Sequence, residues 1–318
     1  MTKASPALEP QALPPPPAGR PSIALALGGG GARGLAHILA LEVLDELALR
    51  PRVIAGTSIG ALVGVAYALG LPAYRIRAMF EETLGNRLDL VRQLFGARSD
   101  PVQKVLRLLP LRSSLLNSEV MLERLMPELD GRQFSDLAIP LKVVATDLVA
   151  REAVVIEHGP LRRAVAASIA IPLVFSPIHD GARVLVDGGL VNPLPFDLIA
   201  DSADIVVAID VSGASKKARF QERPSALEVM FQSLQIMEKS ITRQKLALRR
   251  PDIYIDVDLD QFGALEFWRP DAIFKAAEPI KHTLRRQLTR MLKASTPEAL
   301  PETSPELPAS SPTRRPGT

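Results

Sequence analysis

The stretch PRVIAGTSIGALVGVAYALG, residues 51–70, decides how this chain is read. Val53 to Ala55 is a short apolar run, Gly56-Thr57-Ser58-Ile59-Gly60 a turn of small residues, and a small-residue helix follows. A strand, a tight turn carrying serine and a helix leaving from beneath it form the pattern of a nucleophile elbow. Gly56 and Gly60 flank the serine because backbone and helix approach closely there, and a Cβ at either would crowd the turn. The helix N-terminus directs free N–H groups and the positive end of its dipole toward Ser58, where negative charge would develop. The Gly-x-Ser-x-Gly string arises by chance in glycine-rich chains, so the flanking elements carry the reading.

The same residues admit a second interpretation. No charged residue occurs from Val53 to Tyr74, and a membrane-spanning helix needs about 20 apolar residues. Gly56, Thr57, Ser58 and Gly60 break that run and Pro72 closes it. The remainder, Ile59 to Leu69, is too short to span and has the composition of a helix buried on all sides. The buried helix is the better account.

Upstream, Ser22 to Leu27 (SIALAL) is a continuous apolar run of the kind that forms a buried parallel strand. It leads into Gly28-Gly29-Gly30-Gly31-Ala32-Arg33-Gly34 and a helix from about Leu35 to Leu49. A glycine-rich turn between strand and helix exposes backbone N–H groups and holds anions. Three uses compete. A dinucleotide fingerprint needs an acidic residue about 20 positions on, at the end of the second strand, and that strand ends in Ala55-Gly56-Thr57-Ser58. A phosphate-binding P-loop needs Gly-Lys-Ser/Thr, whereas Gly34 is followed by Leu35. The third use is an oxyanion hole facing Ser58, which adjacent parallel strands would bring to the same sheet edge. The third fits best; a nucleotide- or anion-binding module without ester hydrolysis is the alternative function.

Composition narrows the classes. The chain has 318 residues, 47% of them hydrophobic and 4% aromatic, enough for one large α/β domain or two smaller ones. It has no cysteine, which excludes disulfides and thiolate metal sites. A net charge of +3 without a concentrated basic stripe, and a single tryptophan, argue against a nucleic-acid partner. Residues 1–20 lack the apolar core of a secretory signal, so a cytoplasmic location is the default expectation. That segment is rich in Pro and Ala and the one from 295 to 318 in Pro, Ser and Thr, and both are expected to be disordered.

Between them, residues 21–294 read as one doubly wound α/β domain with a mostly parallel sheet flanked by helices. Strands are expected at Leu141–Thr146, Ala153–Glu157, Val184–Val186, Ile205–Ile209 and Ile253–Val257. Helices are expected from Pro72 to Leu84, from Ser118 (as N-cap) to about Glu128, from Pro160 to Ile169, from Ser225 to Arg249 and from Asp271 to Leu292. Residues 85–135 form a helical insert. Within it the basic amphipathic stretch 101–116 suits peripheral contact with a membrane or a lid, although an ordinary packed cap helix is the plainer reading. Nothing in the sequence sets an oligomeric state.

A serine hydroxyl needs a base. None of His37, His158, His179 and His282 lies in a turn of catalytic type, and His37, one turn into the first helix, suits packing better. Asp187 ends a strand in the turn Asp187-Gly188-Gly189, from which it can project into a crevice at the strands' carboxyl ends. An Asx hydrogen bond that merely shapes the turn explains it equally well. Arg33 suits either a substrate phosphate or, as favoured, a bond that fixes the glycine turn. Asp147 and Asp210 are read as structural acids.

The motifs GGGGARG (28–34), GTSIG (56–60) and DGG (187–189), in this order, resemble the signatures of the patatin-like phospholipases. VVATDL (143–148), ASIAIPLVFSPI (167–178) and DGGLVNPLP (187–195) extend the likeness over roughly residues 22–292, and Gly189 stands where many members have alanine. The resemblance implies a lipid acyl ester substrate and a Ser–Asp dyad, with Ser58 as nucleophile and Asp187 as base. It also implies an oxyanion hole over Gly29, Gly30, Gly31, Arg33 and Gly34, with neither cofactor nor metal.

Overall fold

The computed structural model describes residues 20–86, 116–213 and 226–294. Eight strands form one sheet: β1 (Ile23–Leu27), β2 (Pro51–Thr57), β3 (Leu141–Asp147), β4 (Glu152–Ile156), β5 (Ile178–Asp180), β6 (Arg183–Asp187), β7 (Ile205–Asp210) and β8 (Ile253–Asp256). The order is β5-β6-β3-β2-β1-β7-β8, with β4 also on β3. The pairs joining β3, β2, β1, β7 and β8 are parallel, and β4, β5 and β6 are antiparallel to their neighbours. The described helices are α1 (Ala36–Glu46), α2 (Ile59–Ala68), α3 (Ala73–Asn86), α4 (Ser118–Leu125), α5 (Leu161–Ser168), α6 (Ala226–Leu248), α7 (Pro270–Ala277) and α8 (Pro279–Ala294). The expected α/β class, with a mostly parallel sheet flanked by helices, is the architecture observed.

Alternation along β1 sets the two layers. Ile23, Leu25 and Leu27 point into the larger core, built with α1, α2, α3, α5, α7 and α8. Ala24 and Ala26 point the other way, where their small side chains admit the short turn Phe196–Ile199 close to the sheet. All ten residues of α2 are buried, which explains a helix with no polar face. Gly60 makes this packing feasible. A Cβ there would lie 2.1 Å from the Leu27 carbonyl oxygen, so α2 could not start this close to the end of β1.

Several boundaries differ from expectation. The expected helix 271–292 is two helices, because Pro279 lacks the N–H to continue α7 and instead opens α8. The N-cap of α4 is Asn117, whose Oδ1 accepts the N–H groups of Glu119 and Val120 at 2.9 and 3.2 Å. Ser118 instead donates to the Ala166 carbonyl. Strand β5 was not foreseen; three residues carry too little pattern to be read, and pairing with β6 creates it. The first helix is preceded by a 3-10 turn, Gly31–Leu35. Apart from Arg20 and Leu116, the expectations for residues 1–20, 101–116 and 295–318 fall outside the described residues.

Candidate active site

Strand β3 determines where the site forms. One edge pairs with β4, and the other is shared by two strands end to end. Thr57, the last residue of β2, stands opposite Val144, and Asp187, the last residue of β6, stands opposite Ala145. Because β2 is parallel to β3 and β6 antiparallel, their carboxyl ends run toward each other and meet. Ser58 follows Thr57 directly, so hydroxyl and carboxylate converge although they lie far apart in the chain. Ser58 Oγ donates to Asp187 Oδ2 at 2.6 Å, and both residues are buried.

Ser58 adopts φ 55° and ψ −124°, a left-handed conformation that costs a non-glycine residue about 1–3 kcal/mol. Neighbouring bonds hold it there. Its N–H donates to Ser168 Oγ at 2.9 Å, and Ser168 donates onward to the Val144 carbonyl at 2.6 Å. Ser168 is fully buried at the end of α5. Ser168→Ala is expected to destabilise the fold by about 1–3 kcal/mol, since the buried Ser58 N–H would lose its acceptor. A urea melt reads this; an unchanged midpoint would show that water replaces the hydroxyl.

The segment after Asp187 fastens the three turns together. The Asn192 carbonyl accepts the Thr57 hydroxyl at 2.8 Å, and the Pro193 carbonyl accepts the Gly29 N–H at 2.9 Å. Lys245 of α6 in turn donates to Asn192 Oδ1 and, at 3.0 Å, to the Leu194 carbonyl. On the far side of the glycine turn, His37 Nε2 donates to the Gly28 carbonyl at 2.8 Å. Burial holds His37 down to about pKa 4, so it is neutral and braces the turn. His158, His179 and His282 are exposed.

These bonds sort the glycine residues singled out from sequence. The Gly29 N–H is already engaged by Pro193, which removes it as a donor to substrate. Gly34 packs against Ile59, where a Cβ would come within 2.2 Å of that side chain. The amides of Gly30 and Gly31 have no acceptor among the described residues, and both residues line the cavity with Ser58 and Asp187. Gly31 has φ +60°, and a Cβ there would meet the Ala264 carbonyl oxygen at 2.0 Å, so only glycine presents its amide in this way. Gly188 lies against the Val144 carbonyl with no room for a side chain, as does Gly56 against Ala61.

Arg33 is buried, and its Nε donates to the Gly30 carbonyl at 3.2 Å, the turn-fixing contact favoured from sequence. Burial lowers its pKa, while the charges of Glu238, Asp260 and Asp210 favour the cation. Asp210 accepts Ser212, Lys239 and Tyr254, and Asp147 accepts the Val149 N–H, so both acids serve the scaffold. Asp187 Oδ1 accepts the Gly189 N–H at 2.8 Å, the Asx contact weighed from sequence, and Oδ2 accepts the Ser58 hydroxyl, so the turn bond leaves the second oxygen facing the serine. Burial raises its pKa to about 6 against the lowering effect of the Ser58 and Gly189 bonds.

The cavity is about 50 Å³, room for a few water molecules. Ile171, Pro172, Leu190, Phe231 and Leu234 give it apolar walls, and Gln235 and Glu238 of α6 complete it. No motif in the sequence analysis marks Ser168 or Glu238 as a site residue. Ser168 lies within the quoted motif at 167–178, and Glu238 shares a helical face with Phe231, Leu234 and Gln235, a carboxyl beside two large apolar side chains. Among the described residues there is no cluster of three or more His, Asp or Glu able to hold a metal ion. No described helix is long and apolar enough to cross a membrane.

An uncharacterized NTE family protein of Mycobacterium tuberculosis is 38% identical over 198 residues, covering 61% of this chain and 50% of the relative. The patatin-like phospholipase domain-containing protein 6 of Mus musculus is 32% identical over 193 residues, 60% of this chain and 13% of the relative. The chain thus spans half or less of the length of these curated relatives. Among solved structures, VipD from Legionella pneumophila aligns over 84% of this chain and 67% of its own, at 15% identity and a TM-score of 0.42. The sequence model of the patatin-like phospholipases matches residues 25–200, more than half of the length, and the chain belongs to that family.

Proposed function

We propose that this protein is a serine acyl hydrolase that cleaves fatty-acyl esters of phospholipids or lysophospholipids through a Ser58–Asp187 dyad. The observation that carries the reading is the 2.6 Å bond between the two side chains in a cavity that also presents the Gly30 and Gly31 amides. Ser58 Oγ attacks the acyl carbon as its proton passes to Asp187. The Gly30 and Gly31 N–H groups receive the negative charge that develops on the carbonyl oxygen, a contribution of roughly 2.7–4 kcal/mol per donor. Collapse of the tetrahedral intermediate returns the proton from Asp187 to the leaving alcohol. Water, deprotonated by the same carboxylate, then releases the fatty acid and restores the serine.

The pKa of about 6 suits Asp187 to this task. The group is ionised at neutral pH, yet it is a stronger base than an ordinary carboxylate. Hydrolysis is therefore expected to fall as pH drops through about 6, when Asp187 takes up a proton before substrate arrives. The apolar walls favour an acyl ester, and the small cavity accommodates the reacting group while the chain lies across the rim.

A fluorophosphonate probe tests the assignment directly. Peptide mapping is expected to find a single phosphonylated serine, Ser58, and no adduct in Ser58→Ala. Labelling that persists in the variant would overturn the reading.

A further inference from the structure

Helix α6 brings to the pocket a carboxyl that the dyad does not employ. Phe231, Leu234, Gln235 and Glu238 recur at the spacings of one helix face and all line the cavity. A Cβ built on Gly189 would stand 2.7 Å from Glu238 Oε1 and 3.1 Å from Asp187 Oδ1, so the two carboxyls flank Gly189 more tightly than a methyl group would allow. Glycine at 189 lets them approach this closely. The half-buried Glu238 makes no hydrogen bond or ion pair among the described residues. A carboxyl placed in this way costs stability and repays none of it through structure.

Its surroundings determine its charge. Asp187 at the end of β6, Asp210 at the end of β7 and Arg33 in the glycine turn all act on it. Lys239, the next residue on α6, turns away to Asp210 and Asp256. Burial, with the like charges of Asp187 and Asp210, outweighs Arg33 and pushes Glu238 up to about 8. At neutral pH the pocket therefore holds an ionised and a neutral carboxyl side by side, and pairs whose environments drive their pKa values apart divide acid and base roles.

We infer that Glu238 is a further catalytic residue of this pocket, a neutral carboxylic acid that donates a hydrogen bond to an oxygen of the bound ester. The inference rests on the reading of Ser58 and Asp187 as the acyl-transfer dyad. Loss of the Glu238 proton removes the donor and sets a second negative charge beside Asp187 and the developing oxyanion. The rate then falls at alkaline pH for a reason separate from the acid limb set by Asp187.

The test is the pH dependence of kcat and KM for a short-chain p-nitrophenyl ester, measured on the full chain of wild type, Glu238→Gln, Glu238→Leu and Ser58→Ala. Wild type is expected to give a bell with limbs near 6 and 8. Glutamine stays uncharged and keeps an N–H donor, so Glu238→Gln loses the upper limb. Leucine suits the apolar face but donates nothing, and Glu238→Leu falls roughly hundredfold in kcat at neutral pH, the scale of removing one transition-state donor. An upper limb unchanged in Glu238→Gln, or a wild-type kcat in Glu238→Leu, would overturn the inference. Residual turnover in Ser58→Ala would instead remove the dyad beneath it, so the two failures are told apart.

Discussion

Ser58→Ala is expected to lower kcat for ester hydrolysis by about six orders of magnitude, the scale seen when a nucleophile acting in concert with its base is removed. No other group at the site replaces it. The hydroxyl donates only to Asp187 Oδ2, and the backbone bond from Ser58 N–H to Ser168 survives the substitution. The variant is therefore expected to retain its circular dichroism spectrum and a cooperative melt. Active-site titration with a chromogenic ester checks the outcome. A folded Ser58→Ala protein that still shows a burst of acyl-enzyme formation would place the nucleophile elsewhere.

Asp187→Asn is expected to lose roughly four orders of magnitude in kcat, as when an amide replaces the acid of a catalytic triad, and yet to melt at a higher temperature at pH 8. The Asn carbonyl can still accept the Gly189 N–H, so the turn persists, but the side chain no longer accepts a proton from Ser58. The stability gain follows from linkage. The folded-state pKa of Asp187 is raised, from an ordinary 3.8 to about 6. Stability associated with that carboxyl is fully present below 3.8 and is lost as pH rises through 6. At pH 8 the folded protein carries an ionised buried acid at a cost of about 3 kcal/mol, which the amide avoids. The advantage of the variant should disappear near pH 4. Scanning calorimetry at both pH values tests this; a wild type more stable than Asp187→Asn at pH 8 would contradict the argument.

Much of the framework was legible because its signals are local. The continuous apolar run SIALAL, the glycine turn at 28–34 and the elbow at 56–60 each lie within a few residues of the elements they create. Burial of α2 could be anticipated because Ile59 to Leu69 contains no side chain suited to water. Failures occurred where a local preference lost to a partner distant in the chain. Ser118 is a fair N-cap by type, but the Ala166 carbonyl takes its hydroxyl and leaves Asn117 to cap. Gly29 looked like its neighbours until Pro193 took its N–H.

The residue order by itself determined the α/β class, the elbow, the glycine turn and the candidacy of Ser58 and Asp187, since short-range sterics and hydrophobic periodicity act within one element at a time. Only the tertiary structure decided that β2 and β6 meet end to end on β3, which amides remain unspent, and which carboxyls share one cavity. Those outcomes depend on pairing register and desolvation, both properties of neighbours brought from distant parts of the chain.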